Sequence, residues 1–132
     1  MFYSYGIIRY DKSDGDRVTV SVEQSIADYY YALIPKYYRT VKPRWPAHVT
    51  VVSPIDPIIH WDKWRNKESQ IASFVYDPTI LYENSYWWFN LWSIEMEDIR
   101  KELGLTIKSR ITIPPPGYSK CFHCTLAKDF II

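Results

Sequence analysis

The sequence predicts an α+β fold built as one domain over residues 1–132. Strand-like and helix-like segments interleave along the chain, and two of the strand-like segments meet at a hairpin turn, so a pure parallel βαβ series is not indicated. The length is that of one ordinary hydrophobic core, and the 47% of apolar residues are enough to build it.

The first predicted elements are two strands and a helix. Residues 2–10 are predicted to form a strand, because they are rich in β-branched and aromatic residues and a polar turn follows them. Residues 17–22 alternate valine with polar residues, which predicts a short strand or the entry to a helix. A helix is predicted over 22–34, where apolar residues recur at helical spacing. Ser21 and Gln24 have the spacing of a capping box at its start.

The middle of the chain predicts a strand, a short helix and a hairpin. Prolines force an extended backbone before residues 47–52, which are predicted to form a strand. Residues 61–70 carry frequent charged side chains and are predicted to form a short helix. Residues 71–82 and 85–92 are predicted strands joined by a hairpin turn near Asn84.

The last predicted elements are a helix and two strands. Ser93 is predicted to cap the helix, which has acidic residues in its first turn and ends at Gly104. Residues 105–113 and 120–130 are predicted strands, and a proline-rich loop at 114–118 separates them.

Two of the strand-like segments carry the same pattern of histidine, apolar residue and threonine. They read His48-Val-Thr50 and His123-Cys-Thr125. Because side chains alternate along a strand, each His shares one face with its Thr while the residue between them points to the core. Seven residues of the chain are Thr, so a given His precedes one at this spacing by chance about once in twenty. Two of the three His do so, and we predict that both pairs line one cleft.

Two facing imidazoles suit the cleavage of a phosphodiester. The reaction needs a base for the attacking hydroxyl and an acid for the leaving oxygen, and imidazole supplies either near neutral pH. Thr50 and Thr125 would donate hydrogen bonds to the non-bridging oxygens as charge builds on them. We assign His123 as base and His48 as acid, although the similarity of the motifs leaves the reverse assignment open. The alternative is that both His are structural residues of a sheet.

The two motifs resemble those of the 2H phosphoesterases, the LigT-like cyclic phosphodiesterases, in which two His-x-Thr/Ser motifs lie about half a chain apart. The resemblance implies a bilobal α+β fold, with two antiparallel-rich sheet lobes flanking a central groove and helices outside. It implies phosphodiesterase activity without a metal or other cofactor. Family substrates include 2′,3′-cyclic phosphates, 2′-5′ linkages, RNA ends and cyclic oligonucleotide signals. Very small viral members that degrade host immune cyclic nucleotides are one subgroup that this chain could join.

Cations concentrate around both motifs. No acidic residue lies between Asp28 and Asp56 or between Glu102 and Asp129, and these two windows hold eight of the sixteen Lys and Arg residues. A positive potential would therefore favour an anionic ligand. Arg44 and Lys120 are the predicted phosphate contacts; the other six cations are Lys36, Arg39, Lys42, Lys108, Arg110 and Lys128.

Aromatic residues near the motifs are candidates for stacking on nucleobases. The chain has 12 Tyr, 6 Trp and 5 Phe, most of which a core must absorb. Tyr118 follows a stiff proline run beside His123 and resembles a lid residue. The predicted substrate-binding aromatics are Tyr5, Trp45, Trp87 and Tyr118.

The two cysteines do not form a convincing zinc site. Strand alternation sends Cys121 and Cys124 to opposite faces, and no second Cys/His cluster completes four ligands. Cys121 shares the His123 face, and Cys124 is predicted to lie in the core. We therefore expect no metal at the site.

The remaining composition limits the partners. A formal net charge of +1 argues against binding to long duplex nucleic acid through bulk charge, so we expect a nucleotide or a short or cyclic oligonucleotide as partner. The start at Met1 lacks the order of a signal peptide, and no apolar run is long enough to span a bilayer, so we expect a cytoplasmic monomer that binds no membrane. The alternative functions are a module that binds or sequesters RNA or nucleotides without turnover, and a zinc-dependent hydrolase.

Overall fold

The computed structural model describes residues 1–109 and 113–130, which form eight strands, two α-helices and one short 3₁₀ helix. In chain order the elements are β1 (Phe2–Asp11), β2 (Arg17–Ser21), α1 (Gln24–Leu33), β3 (Thr40–Val41), β4 (His48–Val52), the 3₁₀ helix (Trp61–Lys63), β5 (Ile71–Tyr76), β6 (Leu81–Glu83), β7 (Tyr86–Trp92), α2 (Ile94–Glu102) and β8 (Phe122–Asp129).

Six of the strands close into an antiparallel barrel. Their order around the barrel is β1–β2–β4–β8–β7–β5, and β5 pairs again with β1. The two shortest strands lie outside this ring, where β3 pairs with β8 and β6 pairs with β7. The barrel therefore has no open edge except at these two short strands.

The barrel consists of two halves with the same order of elements. The first half contributes β1, β2, α1 and β4, and the second contributes β5, β7, α2 and β8. The third barrel strands of the two halves, β4 and β8, pair with each other, as do the first strands, β1 and β5. The His-x-Thr motifs are the part of this twofold arrangement that the sequence repeats, and they lie on the third barrel strand of each half.

One continuous core fills the barrel and extends to both helices. Inward-facing residues of every barrel strand are buried, among them Val20, Val49, Phe89 and Cys124. The two helices leave the barrel at opposite ends, because β2 and β7 run in opposite directions around the antiparallel ring. The helices add Ala27, Tyr30, Met96 and Ile99 to the buried set. Within the described residues, no helix has the length and apolar character needed to cross a membrane.

The predicted bilobal fold, with two antiparallel-rich sheet lobes flanking a groove, is wrong. The chain forms a single closed six-stranded antiparallel barrel with two helices. The two halves fuse because they pair at both seams, β4 with β8 and β1 with β5. Their inward faces consequently share one core, and no cleft separates two sheets.

Four local predictions were also wrong within the described residues. The helix over 61–70 is reduced to the short 3₁₀ helix, and the positive φ angles of Arg65 and Ser69 are incompatible with continued helix. The strand over 71–82 is interrupted after Tyr76, before Pro78. Residues 105–109 and 113 form no strand, while 110–112 lie outside the described residues.

The fourth error concerns the predicted capping box. Helix α1 begins two residues later than the box requires, with Glu23 at the N-cap and no side-chain cap bond. The Ser21 hydroxyl instead accepts a hydrogen bond from the Ile7 backbone N–H at 2.9 Å. Gln24 bonds to the segment before β4, so both residues serve the barrel rather than the helix end.

Candidate active site

The two His-x-Thr motifs lie side by side on the outer face of the barrel. Val49 of β4 pairs with Cys124 of β8, and both side chains point into the core. Continuing this antiparallel register places His48 opposite Thr125 and Thr50 opposite His123. These four residues, here called the His–Thr cluster, are partly or largely solvent-accessible and share one face.

Register fixes the spacing within the His–Thr cluster. Directly opposed residues of an antiparallel pair have Cβ atoms about 4.5–5.5 Å apart, and diagonal neighbours have Cα atoms about 7–8 Å apart. Each Thr is therefore the direct neighbour of the other motif's His, and the two His are diagonal neighbours. Each imidazole consequently has a threonine hydroxyl as its cross-strand neighbour.

A β-bulge follows each motif. The pairing of β2 with β4 shifts register between Val18 and Thr19, and both Val51 and Val52 are buried. The pairing of β7 with β8 shifts between Trp87 and Trp88, and both Leu126 and Ala127 are buried. A bulge bends its strand and changes which face the next side chain occupies. The alternation that exposes each His and Thr thus ends immediately beyond the cluster.

His48 is oriented by the backbone before it. Its ring Nδ1 lies 2.8 Å from the Pro46 carbonyl oxygen, which can only accept, so Nδ1 carries the proton and donates it there. The nitrogen left for a ligand is Nε2. The preceding residue, Ala47, donates its N–H to Gln24 Oε1 at 2.9 Å, and its carbonyl accepts from the Val22 N–H at 2.9 Å. The start of β4 is therefore fixed on both sides.

His123 lies in surroundings that favour its neutral form. Part of the side chain is exposed, while protein atoms crowd the rest of the ring, and this burial is the largest cause of a lowered pKa. The positive charges of Lys120 and His48 lower the pKa of His123 further. An imidazole that resists protonation at neutral pH is suited to accept a proton from a nucleophile.

Helix α2 fixes the chain on either side of the cluster. The buried carboxylate of Glu97 accepts hydrogen bonds from the Ser119 and Lys120 backbone N–H groups at 2.9 and 3.3 Å, just before β8. The buried Arg100 donates to the Val51 carbonyl at 2.8 Å and pairs with Asp56, just after β4. The backbone of both motif strands is thereby anchored to the same helix.

Two neighbouring side chains were missed by the sequence analysis. Ser21 of β2 lies directly opposite His48, and Asn90 of β7 lies directly opposite His123. Asn90 Oδ1 accepts from the Trp88 indole N–H at 3.0 Å, which fixes the amide so that its NH₂ group remains for another partner. Ser21 Oγ accepts from Ile7 and likewise keeps its own hydrogen to donate. Each His therefore has a potential hydrogen-bond donor on the adjacent strand.

The predicted phosphate contacts both lie on segments that lead into the motifs. Arg44 is exposed, and its guanidinium carbon lies 5.6 Å from the centre of the Trp45 ring. Lys120 lies close enough to His123 to lower its pKa, and its ammonium is 5.6 Å from the Phe122 ring centre. Among the remaining predicted cations, Arg110 lies outside the described residues.

The predicted aromatic contacts are distributed unevenly. Trp45 is 63% exposed beside the cluster, and Tyr118 is half-buried in the loop before β8. Tyr5 is 65% exposed on the outer face of β1, two strands away from β4. Trp87 is only 7% exposed, and its indole donates to Asp129 within an aromatic cluster. The structure does not bring Trp87 to the cluster; Trp88, opposite Thr125, takes that place.

The cysteines lie as the strand alternation predicts. Cys124 is buried, and burial raises the pKa of its thiol to about 12. Cys121 is half-exposed just before β8. Within residues 1–109 and 113–130, no three His, Cys, Asp or Glu side chains are arranged to hold a metal ion.

The two motifs, and the cations and aromatic residues on the segments before them, carried a signal readable from sequence, whereas Ser21 and Asn90 did not. Ser21 and Asn90 acquire their places through strand pairing, and no local pattern indicates which strands will flank β4 and β8. A comparison of the chain with protein-family models, with curated proteins and with solved structures finds no match in any of the three. The chemistry of the His–Thr cluster is therefore the feature that bears on function.

Proposed function

We propose that this protein is a metal-independent phosphodiesterase of the 2H type, which cleaves short or cyclic nucleotides that carry RNA-type 2′-hydroxyls. The observation that carries the proposal is the His–Thr cluster: His48 and His123 lie diagonally across one antiparallel ladder, and each faces the other motif's Thr. Structural histidines have no need of this reciprocal arrangement on an outer, solvent-accessible face.

His123 would act as the general base. Its lowered pKa keeps the imidazole neutral near pH 7 and ready to take a proton. Where a free 2′-hydroxyl adjoins the scissile bond, that oxygen attacks phosphorus and its proton passes to His123. In a substrate that is already a 2′,3′-cyclic phosphate, water attacks instead and loses its proton to the same nitrogen.

His48 would act as the general acid on the opposite side of phosphorus. The Pro46 carbonyl accepts from Nδ1, so Nε2 is the ring nitrogen left to act on the leaving group, and it would carry the proton to be donated. As the bond from phosphorus to the leaving oxygen breaks, this Nε2 proton passes to that oxygen. The cycle ends with His123 protonated and His48 neutral, and proton exchange with water restores both.

The threonines and nearby cations would stabilise the charge that builds on the phosphoryl oxygens. Thr50 and Thr125 would donate one hydrogen bond each to the two non-bridging oxygens. Arg44, on the segment before β4, and Lys120, on the segment before β8, would add positive charge. These groups are part of the fold, so little reorganisation is needed as the reaction proceeds.

The alternative is a module that binds nucleotides without turnover. Such a module needs cations and aromatic surfaces, which this chain has, but gains nothing from two titrating groups spaced across one phosphate. The two imidazoles differ in their surroundings: burial and nearby charge lower the pKa of His123, whereas the Pro46 carbonyl holds Nδ1 of His48 and leaves its Nε2 for the leaving group. This difference favours catalysis.

A substrate panel tests the proposal directly. The protein is incubated with 2′,3′-cyclic mononucleotides, 2′-5′ oligoadenylate, cyclic dinucleotides and cyclic trinucleotides, each with and without EDTA, and products are identified by mass. We expect cleavage of at least one class, unchanged by EDTA. Binding without any product would favour the sequestering module. Activity that EDTA removes and zinc, manganese or magnesium restores would favour a metal-dependent hydrolase.

A further inference from the structure

A pocket of about 250 Å³ adjoins the His–Thr cluster on the His48 side. Helix α1 forms one wall, and the segment 42–47 that leads into β4 forms the other. Thr125 belongs both to the lining of this pocket and to the cluster. If the phosphate of a nucleotide lay between the two His, the sugar and base attached to it would therefore lie near the mouth of the pocket.

The volume of this pocket suits a single ring system. Pockets for drug-sized ligands occupy about 300–1,000 Å³, so about 250 Å³ is too small for a complete dinucleotide. A nucleobase is the flat, rigid part of a nucleotide that fits such a space. The sugar and phosphate would remain outside, toward Thr125.

One wall offers a surface for stacking. Trp45 lines the pocket, and its side chain is 63% exposed. It lies in a short segment between two prolines. Arg44 lies beside the indole, 5.6 Å from the ring centre. An exposed aromatic ring next to a cation is a typical platform for a nucleobase attached to an anionic backbone.

The opposite wall offers a carboxylate. Asp28 lines the pocket, and its Oδ1 accepts hydrogen bonds from Gln24 Nε2 at 3.0 Å and from Lys42 Nζ at 3.1 Å. The bond from Gln24 and then the bond and charge of Lys42 hold the pKa of Asp28 below its ordinary value, so the group is ionised and can only accept. Among the described residues, the hydrogen bonds of this carboxylate all fall on Oδ1, which leaves Oδ2 for a donor in the pocket.

We propose that this pocket holds the nucleobase next to the scissile phosphate, and that Asp28 selects bases that carry an exocyclic amino group. Cytosine, adenine and guanine present amino hydrogens that a carboxylate oxygen can accept. Uracil and hypoxanthine carry a carbonyl oxygen or a hydrogen at the equivalent positions, and a carbonyl oxygen would be repelled by the carboxylate. The assignment of a nucleobase rests on the proposed function of the His–Thr cluster.

The test compares bases that carry the exocyclic amino group with bases that lack it. The affinities of 2′,3′-cyclic CMP and 2′,3′-cyclic UMP are measured by calorimetry with the His48→Ala variant, and their kcat/KM values are measured with the unchanged protein. We expect cyclic CMP to be favoured about 5- to 20-fold in both measurements, the range for one partly exposed hydrogen bond to a charged group. The ratio of 2′,3′-cyclic GMP to 2′,3′-cyclic IMP should show the same direction.

Two matched variants identify the carboxylate responsible. Asp28→Asn removes the negative charge and should bring the cytosine-to-uracil ratio to about 1. Asp14→Asn removes an equivalent charge from another exposed ion pair, with Arg17 and outside the pocket, and should leave the ratio unchanged. The base ratio of the unchanged protein is itself a readout, so the proposal does not depend on the folding of either variant.

The outcomes separate this inference from the proposed function. Cleavage of cyclic CMP and cyclic UMP at equal kcat/KM would overturn the base pocket and leave the phosphodiesterase standing. An amino-base preference in binding, without cleavage of any nucleotide, would overturn the phosphodiesterase and support the pocket. A preference that persists in Asp28→Asn would show that another group reads the base, and would overturn the role of Asp28.

Discussion

The side-chain oxygen Oε1 of Gln24 accepts a hydrogen bond from the backbone N–H of Ala47 at 2.9 Å. This bond joins the first residue of α1 to the residue that immediately precedes His48. Helix α2 has an equivalent function in the second half of the barrel, where Glu97 accepts from the two residues before Cys121 and β8. Each helix thus fixes the entry of its own half's motif strand.

Replacing Gln24 should therefore loosen the start of β4. In Gln24→Met the side chain keeps its length but leaves the Ala47 N–H without its acceptor, which should lower the free energy of unfolding by about 1–3 kcal/mol. Hydrogen exchange of the Ala47 amide should accelerate. Gln70→Met, at an exposed position, is the matched control and should change stability by less than about 0.5 kcal/mol. An Ala47 amide that stays equally protected in Gln24→Met would contradict this role.

The pKa of His123 should determine the pH at which kcat/KM falls on the acidic side of its pH profile, here called the acid limb. Burial and the charges of Lys120 and His48 lower this pKa from the ordinary value of 6.5, so kcat/KM should fall only when the pH drops below that value. The same shift affects folding. The unfolded chain binds a proton at His123 more readily, so stability is complete above about pH 6.5 and decreases as the pH falls through the folded pKa.

Lys120→Met tests the electrostatic part of this shift. Removing the positive charge should raise the pKa of His123 toward its ordinary value and move the acid limb to higher pH. Titration of the His123 ring by NMR measures the shift separately from any loss of phosphate binding. Lys63→Met, at an exposed position in the 3₁₀ helix, should leave the titration in place. A limb that moves to lower pH in Lys120→Met would mean that Lys120 does not act on His123 through its charge.

Gly6 should tolerate no side chain. A Cβ atom built on Gly6 would lie 1.7 Å from the carbonyl oxygen of Ser21, the residue opposite His48. Gly6→Ala must therefore separate β1 from β2, and we expect it to destabilise the protein by about 3 kcal/mol or more. Gly117→Ala is a useful comparison, because its Cβ meets no atom within 4 Å and only the positive φ of 91° costs free energy, about 1–2 kcal/mol. Equal melting temperatures for the two variants would contradict the close approach of β1 to β2.

Substitution of the two motif histidines should remove turnover and preserve the fold. His48→Ala and His123→Ala should each reduce kcat by about 10²–10⁴-fold, and the double variant should be little worse than either, since the two act as a unit. Both side chains lie on the outer face, so thermal unfolding should change little. The third histidine supplies the control: His60→Ala, at an exposed position, should retain full activity. Near-normal turnover by either motif variant would show that the substituted histidine is not the acid or base of the reaction.

The parts of this molecule that were predictable from sequence are those governed by local periodicity. Alternation along a strand was sufficient to place His48 with Thr50, and His123 with Thr125, on exposed faces above a buried Val49 and Cys124. The pairing of β4 with β8 joins residues far apart in the chain, and no local pattern encodes it. The barrel was missed for this reason. Its strands were nevertheless predicted with nearly the correct bounds, except β5, which ends at Tyr76 instead of continuing to residue 82.

The choice between Trp87 and Trp88 could have been made from local periodicity. Asn90 is polar while Phe89 and Leu91 are apolar, so alternation along the strand places Trp88 with Asn90 on the outer face and Trp87 on the buried face. Trp87 becomes part of the core, whereas Trp88 joins the outer face and orients Asn90.

Asn90 should contribute a hydrogen bond that matters most when the phosphate is bound. The indole of Trp88 occupies its carbonyl oxygen, so the amide NH₂ is left beside His123, where an anionic substrate would accept from it. Asn90→Ala should reduce kcat/KM about 10- to 100-fold through loss of this donor. Asn90→Asp keeps the acceptor for Trp88 but places a negative charge next to the phosphate. It should therefore be slower than Asn90→Ala, and it should also raise the pKa of His123 by favouring the imidazolium.

Trp88→Phe provides the matched control for the orientation of this amide. A smaller aromatic ring remains while the indole N–H that holds Asn90 Oδ1 is lost, so the amide becomes free to rotate and kcat/KM should fall less than in Asn90→Ala. Steady-state kinetics of the three variants on one substrate give the order, and NMR titration of His123 gives the pKa change. Two results together would contradict this role: equal kcat/KM values for Asn90→Asp and Asn90→Ala, and an unchanged pKa of His123 in Asn90→Asp. The amide would then lie too far from the phosphate and from His123 to act on either, and Asn90 would be only a structural residue of β7.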